Sequence, residues 1–473
     1  MNKGKITVVI LLVAVVTVSA ISWFQNQEPA QDENKITLKT GTISPLPENV
    51  EASAVKKSVA LEKPIAKLVS TKTVKKKKPF VPKIDEFKPI PGFLEKSIQW
   101  LAEAQFENGG WGAGQNTSQQ IRDPKAVQTD PATTAFSAMA LLRSGNTLTK
   151  GKHSKNIKMA VKYLLIAVED AKDEDLSITT VRGTQPQSKL GQNIDVSITL
   201  QFLAKILPEA KHDKKLENRI NSAMDKCIAK LEGTQMADGS WNAAGWAPVL
   251  NSAMANNALE YSNAVGREVK KETLDKSQKY QAGNYDDESG GISSGKAAGV
   301  QLYAYSATQR ATAQDALEVQ EFIKAKSTEP VDTKAPPPPI MSIEDIPEEE
   351  ATFEYLKDSF SEEKARKLAK SYTANKAATK SLQNDAVLSG FGNNGGEEYL
   401  SYAMTSESLV AAGDEKSWNE WHTKMQNRLS SVQNPNGSWS GHHCITSPVF
   451  CTAAVVMTLT ADRDVDILTA NTK

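Results

Sequence analysis

Two short segments in the C-terminal part of the chain carry side chains that could do chemistry. His442, His443 and Cys444 are consecutive, and the paired acids Glu397 and Glu398 precede them. Imidazole, thiolate and carboxylate groups are zinc ligands, and a zinc-bound thiolate is a nucleophile. The spacing matches no standard zinc pattern, so a hydrogen-bonded loop with a buried thiol is the alternative. Both interpretations stay open.

The paired glutamates lie in a glycine-rich stretch, Gly390 to Tyr402. Glycine lets a backbone approach a ligand or another loop closely. Acidic side chains also stabilise the N-terminus of a helix, and the sequence favours this structural role for Glu397 and Glu398. The functional alternative is that both carboxylates are placed beside a binding site.

The chain has three cysteines, Cys227, Cys444 and Cys451, which is too few for a disulfide framework. In an oxidising compartment Cys444 and Cys451 could pair, leaving Cys227 over. We favour the alternative that all three are buried, small apolar side chains.

A repeated motif must position these residues. The form Q-x3-G-x-W occurs at Gln105/Gly109/Trp111, at Gln235/Gly239/Trp241 and at Gln433/Gly437/Trp439. Each copy follows an amphipathic helical run and precedes a less polar run rich in Ala, Thr, Ser, Met and Leu. A fixed motif that recurs between two kinds of helix is typical of a repeat protein.

The periodicity predicts six pairs of helices, each with an outer and an inner member. The predicted pairs are Phe93–Ala104 with Pro131–Leu142, Lys155–Glu169 with Asp195–Ile206, Lys214–Thr234 with Pro248–Ala264, Arg267–Gln281 with Lys296–Ala307, Glu350–Ser381 with Glu397–Ala412, and Trp418–Val432 with Pro448–Ala461. Asp130 before Pro131 is a typical helix start. Strand signals are nearly absent. The prediction is an all-α protein, and more finely an α/α toroid over residues 92–465, interrupted by a Pro-rich acidic linker at 328–350 and a polar helical insertion at 350–385. Closure of the ring would bring Asp130 towards His442, His443 and Cys444.

Residues 1–24 predict that the rest of the chain is exported across a membrane. Ile6 to Phe24 carries no charge, follows the basic residues Lys3 and Lys5, and is near the roughly 20 residues that span a bilayer. We predict a membrane anchor at 1–24, and the alternative is a signal peptide cleaved after Val18-Ser19-Ala20. Residues 25–91 are predicted to form a disordered Lys/Pro-rich linker. The 56 basic and 56 acidic residues balance, so nothing global indicates nucleic-acid binding.

The three Q-x3-G-x-W segments are similar to the QW repeats of squalene-hopene cyclases and, more loosely, to those of the β subunits of protein prenyltransferases. The resemblance covers Phe93 to about Arg463. It implies the α/α toroid, with each glutamine capping a neighbouring helix end and each tryptophan stacking on the next repeat.

The catalytic motifs of the similar families are absent from this sequence. Cyclases of this family use a D-x-D-D acid and an aromatic cavity, and this chain has no D-x-D-D and only 6% aromatic residues. The prenyltransferase D-x-C zinc motif is absent as well, although its ligand types recur in His442, His443 and Cys444, with Asp130 as a further candidate metal ligand. The best candidates for a catalytic role are His443, Cys444, Glu398 and Asp195.

Three functions therefore stay open. The first is a membrane-tethered, extracytoplasmic module that binds a ligand or partner without polyene cyclase activity. The second is an enzyme that processes an isoprenoid or another apolar ligand, with zinc as an optional cofactor. The third is a scaffold for protein partners in a cell-envelope complex, with the Pro-rich stretches as docking segments.

Overall fold

The protein is all-α, as the sequence predicts. The computed structural model describes residues 87–241, 245–286, 289–327, 349–392 and 394–470. The predicted anchor and nearly all of the predicted linker lie outside these residues. Among the helices of the described part, none is both long and apolar enough to cross a membrane. A two-residue hairpin, β1 (Tyr285–Asp286) with β2 (Gly291–Ile292), lies between the helices of the fourth pair.

The predicted outer helices are present with small shifts of their ends. They are α1 (Gly92–Glu103), α3 (Ser154–Asp170), α6 (Lys214–Thr234), α8 (Lys271–Ala282), α11 (Glu362–Ser381) and α14 (Glu415–Ser430). The inner helices are α2 (Pro131–Arg143), α5 (Ile194–Ala210), α7 (Pro248–Ala264), α9 (Gln301–Ser327), α13 (Gly396–Ala411) and α15 (Pro448–Leu459). Four short helices complete the described part: α4 (Gln185–Leu190), α10 (Glu349–Leu356), α12 (Asp385–Leu388) and α16 (Val465–Thr469).

Two helices differ clearly from the prediction. The fourth inner helix begins at Gln301 rather than Lys296, because Ala298 and Gly299 have positive φ angles, of 53° and 80°, that a right-handed helix cannot accommodate. The polar run from Glu350 to Ser381 is broken into α10 and α11. Its second part packs along α9 and buries a continuous stretch from Ser371 to Thr379, so this helix is an integral outer member of the fifth pair.

The inner helices pack in a cyclic order. Helix α2 packs against α5, α5 against α7, α7 against α9, α9 against α13, α13 against α15, and α15 packs against α2 again. Outer helix α1 contacts both its own partner α2 and the last inner helix, α15. The sixth pair therefore lies beside the first, as the sequence predicts.

The three Q-x3-G-x-W segments make the same hydrogen bonds. Each glutamine Nε2 donates to the carbonyl of the glycine in its own segment and to a first-turn carbonyl of the next outer helix: Gln105 to Gly109 and Asn156, Gln235 to Gly239 and Thr273, and Gln433 to Gly437 and Phe93. Each indole Nε1 donates to a leucine carbonyl in the preceding outer helix: Trp111 to Leu101, Trp241 to Leu231, and Trp439 to Leu429. The segments fasten neighbouring outer helices, which is a structural role.

An ionic cluster joins inner helices α2, α5, α7, α9 and α13 to the segment that precedes α16. Its members are Arg143, Lys205, Glu260, Arg310, Glu407 and Asp464, all buried. Arg143 bonds both Glu407 and Asp464, and Lys205 Nζ lies 2.5 Å from Asp464 Oδ2. Burial alone would raise the pKa of Asp464, but the charges of Arg143 and Lys205 outweigh it and lower this pKa. Three cations and three anions therefore balance within the protein interior.

Candidate functional site

The glycine-rich stretch and the His442–Cys444 segment lie side by side. Their backbones are joined by two hydrogen bonds, from Gly396 N to Ile445 O at 2.8 Å and from His442 N to Asn394 O at 2.9 Å. A Cβ at Gly396 would stand 2.6 Å from side-chain atoms of Ile445, so only glycine permits this approach. The two segments that the sequence analysis singled out thus form one site.

Glu398 is fully buried at the centre of this site. Its Oε1 accepts hydrogen bonds from Tyr303 Oη at 2.8 Å and from Phe391 N at 3.0 Å, and its Oε2 accepts one from Gly395 N at 2.8 Å. His443 Nε2 lies 3.8 Å from Oε2. Three donors converging on one carboxyl group is the pattern expected for an ionised carboxylate. Glu398 therefore brings negative charge to the site and also holds the backbone of the glycine-rich stretch.

Glu397, the neighbouring carboxyl group, is also fully buried but has fewer partners. Its Oε2 accepts a hydrogen bond from Ile445 N at 3.2 Å, whereas Oε1 has no N–H or O–H donor among the described residues. Burial and then the charge of Glu398 raise the pKa of Glu397 to about 7, against the smaller opposing effect of Lys189. Near neutral pH this group takes up or releases a proton.

The Cys444 thiol lies beside Glu397. Burial, followed by the adjacent carboxylate, raises the pKa of Cys444 to about 12. A thiol with this pKa is protonated at neutral pH, so it lacks the thiolate that nucleophilic attack requires. All three cysteines are free; Cys227 and Cys451 are buried, as the sequence favoured, whereas Cys444 is only partly buried.

Aromatic rings stand around the two glutamates. The Trp246 ring lies 5.7 Å from the Phe391 ring at an interplanar angle of 86°, and 6.5 Å from the Tyr303 ring at 79°. The Phe391 ring also lies 5.5 Å from the His443 ring. Phe391 is 59% exposed and Trp246 is 37% exposed. We call Trp246, Tyr303, Phe391, Glu397, Glu398 and His443 the acid–aromatic cluster.

Asp130 has a structural position as the N-cap of α2. Its carboxylate accepts hydrogen bonds from Thr133 N at 2.8 Å, Thr133 Oγ1 at 2.9 Å and Ala113 N at 3.0 Å. The structure thus shows Asp130 as a helix cap, and in the described part of the chain its carboxylate is not grouped with two other His, Cys, Asp or Glu side chains that could hold a metal ion.

Asp195 also lies among neighbours of its own, in the first turn of α5. Ser177 Oγ and Ile178 N bond its Oδ2, at 2.5 and 3.0 Å. Burial raises the pKa of Asp195 to about 6, although these hydrogen bonds oppose the rise. Neither Asp130 nor Asp195 belongs to the acid–aromatic cluster.

The donors predicted for zinc do not converge. Within the described ranges, no three His, Cys, Asp or Glu side chains are placed to hold one metal ion. His442 is exposed, and His443 Nε2 lies 3.8 Å from Glu398 Oε2. The residues present do not fit a tetrahedral zinc centre, which needs four ligands at about 2.0–2.3 Å. Zinc stays a prediction and has no part in the function proposed below.

Two residues that support the site carry no local sequence signal. Gln185 Oε1 accepts hydrogen bonds from Thr446 N at 2.7 Å and Ser447 N at 3.1 Å, and so holds the segment that leads into α15. The Lys189 carbonyl accepts one from Trp246 N at 3.0 Å. Both contacts join segments far apart in the chain.

No protein-family model and no curated protein matches this sequence. The argument for function therefore rests on the chemistry of the site. Buried glutamates with different hydrogen bonding, beside two exposed aromatic rings, could hold a ligand that carries both positive charge and apolar surface.

Proposed function

We propose that this protein is a membrane-tethered, extracytoplasmic α/α toroid that binds a ligand or partner at the acid–aromatic cluster and has no polyene cyclase activity. The cyclic packing of the six inner helices and the repeated glutamine contacts support the toroid. The uncharged segment Ile6 to Phe24 supports the tether and the compartment.

The burial of the inner helices carries the proposal. Every residue of α13 and α15 is buried, as are Val249–Ser262 of α7 and Pro131–Leu141 of α2. A helix that lined an open chamber would expose one face to it. Phe136 and Phe450 instead pack against each other with ring centroids 4.8 Å apart, exposed by 2% and 0%. The close packing of these four described helices supports a protein that does not enclose a long polyene, whereas Phe391 and Trp246 of the acid–aromatic cluster are partly exposed.

Two measurements on the full chain test this proposal. Incubation with squalene and with a prenyl diphosphate should give no product. A photo-activated benzoylphenylalanine in place of Phe391 should cross-link a partner in the native membrane, whereas the same replacement at Val432, an apolar residue exposed by 44% outside the cluster, should not. Product formation, or equal cross-linking from both positions, would contradict the proposal.

One observation favours the isoprenoid enzyme as a second candidate. Glu397, with its pKa raised to about 7, stands next to a carboxylate held by three donors, and such a pair can divide the roles of acid and stabilising anion. If this candidate is right, substrate is converted and Glu397→Gln abolishes the conversion. If the species cross-linked from position 391 is a protein, the function is that of a scaffold in an envelope complex.

A further inference from the structure

We propose that the acid–aromatic cluster recognises an alkylammonium cation, the charged group of a methylated amine or of choline. This inference rests on the proposed function, since it names the chemistry of a ligand for the same site. It follows from three features: the angles between the rings, the burial of the carboxylates, and the exposure of two rings above them.

The aromatic rings form walls that meet at nearly right angles. Trp246 is common to both ring pairs, at 86° to Phe391 and at 79° to Tyr303. A ring face carries negative partial charge, so a cation gains most where several faces surround it. Apolar packing alone would not require that two of these rings, Phe391 and Trp246, stay 59% and 37% exposed.

Negative charge lies directly behind the rings. The Glu398 carboxylate accepts a hydrogen bond from the hydroxyl of Tyr303 and another from the backbone N–H of Phe391, so it is held at the hydroxyl end of Tyr303 and beside the backbone of Phe391. Glu397 adds a second carboxyl group that is 0% exposed and whose Oε1 has no N–H or O–H donor in the described part of the chain. The Cys444 thiol hydrogen-bonds this carboxyl group, so a cation near it would compensate negative charge rather than complete a missing hydrogen bond.

The charged neighbours leave the site short of positive charge. Lys189 is near Glu397, and His443 adds a charge only when it is protonated. Tyr303, Tyr399, Tyr402, Cys444 and Cys451 are neutral at pH 7, because burial raises each pKa. Two further cations, Arg122 and Arg428, act on Cys451 and Tyr402. A neutral apolar ligand would cover the rings but leave the carboxylates uncompensated, whereas an alkylammonium group satisfies both.

Cation binding should also expel a proton. Near pH 7 about half of the Glu397 carboxyl groups carry a proton, and an added positive charge lowers the pKa of a neighbouring carboxyl group. Proton release would show that the bound cation acts on Glu397, which attachment to a distant surface site would not.

The test compares choline with 3,3-dimethyl-1-butanol, a neutral molecule of nearly the same shape, by calorimetry on the full chain in a maltoside detergent. Choline should bind, the neutral molecule should bind at least about 10-fold more weakly, and choline should release protons when buffers of different ionisation enthalpy are compared. Phe391→Leu keeps an apolar side chain but removes a ring, and should weaken choline binding about 2- to 30-fold. Val432→Ala should leave it unchanged.

Glycerophosphocholine distinguishes the sources of the ammonium group. Tighter binding than free choline assigns the site to a lipid head group, and weaker binding assigns it to a free amine. If choline and the neutral molecule bind equally, and Phe391→Leu weakens both, the cluster is a binding site but the inference of a cation is overturned. Absence of choline binding also overturns it, while cross-linking from position 391 separately decides the proposed function.

Discussion

Gln433 Nε2 donates a hydrogen bond of 3.0 Å to the carbonyl oxygen of Phe93, which joins the last outer helix to the first. The same nitrogen lies 2.9 Å from Ser97 Oγ, and the Phe93 ring packs edge-on against Trp439 at 6.2 Å. Gln105 and Gln235 make the equivalent bond to the next outer helix in the chain. The contact between the two ends of the repeat array is therefore the same as the contacts within it.

Replacement of this glutamine should weaken the junction. We expect Gln433→Ala to lower the free energy of unfolding by about 1–2 kcal/mol, because the carbonyl of Phe93 loses a partner in a partly buried setting. Urea unfolding followed by circular dichroism measures the change. Gln99→Ala, which removes an exposed contact with Glu103 in the same helix, should cost less than about 0.5 kcal/mol. If both variants lose the same free energy of unfolding, the hydrogen bond between Gln433 and Phe93 does not stabilise the junction of the first and last outer helices.

The glycine of the repeat should tolerate no side chain. Gly239 has φ of +90°, and a Cβ there would stand 2.2 Å from the carbonyl oxygen of Lys276. Because that atom belongs to the backbone of the next outer helix, we expect Gly239→Ala to cost at least about 2 kcal/mol in thermal or urea unfolding. Gly233→Ala, in α6 with nothing within 4 Å, should be neutral or stabilising by up to about 1 kcal/mol. A mild effect at Gly239 would contradict the tight junction.

The sequence predicted helices well where local signals mark their ends. Asp130 before Pro131 was expected to begin α2, and its carboxylate does accept the Thr133 N–H as an N-cap. The start of α9 was misplaced, because nothing in the sequence shows that Ala298 adopts a positive φ. The packing of α11 was also unpredictable, since its many Lys, Glu, Ser and Thr residues predict a polar helix, whereas contact with α9 buries the stretch from Ser371 to Thr379.

The site was predictable only in its local parts. Glu398 and His443 each stand in an unusual segment, and both segments were expected to matter. Tyr303 and Trp246 lie in no segment that the sequence singled out, and both the hydrogen bond from Tyr303 to Glu398 and the packing of Trp246 against Tyr303 depend on contacts between distant repeats. Asp195 was proposed from its residue type alone. The residue type cannot show that its carboxylate already accepts a hydrogen bond from Ser177 Oγ.

The ionic cluster should be sensitive to the loss of one cation. We expect Arg143→Met to destabilise the protein by about 3–5 kcal/mol, because Glu407 and Asp464 would lose a buried partner. Urea unfolding measures the loss. In the matched control, Arg219→Met removes an exposed pair with Glu169 and should cost no more than about 1 kcal/mol.

The two arginine variants compare the loss of a buried ion pair with the loss of an exposed one. If Arg143→Met costs as little as Arg219→Met, the buried charges are compensated by other groups and the cluster does not hold the inner helices together.

Replacement of Glu397 should have an effect whose size depends on pH. Folding raises the pKa of this carboxyl group from its ordinary 4.5 to about 7. Between these values the folded protein keeps a proton that the unfolded chain has released, so stability from this group is complete below pH 4.5 and is lost as pH rises through 7. Glu397→Gln cannot ionise and should therefore be more stable than wild type at pH 8, by up to about 3 kcal/mol.

The difference between Glu397→Gln and wild type should shrink towards pH 5, where the wild-type carboxyl group is protonated in the folded state. Urea unfolding at pH 5, 6, 7 and 8 measures it. Glu420→Gln, at an exposed position of α14, should show no such trend. A difference in the free energy of unfolding between Glu397→Gln and wild type that stays constant from pH 5 to pH 8 would contradict a Glu397 pKa of about 7 in the folded protein.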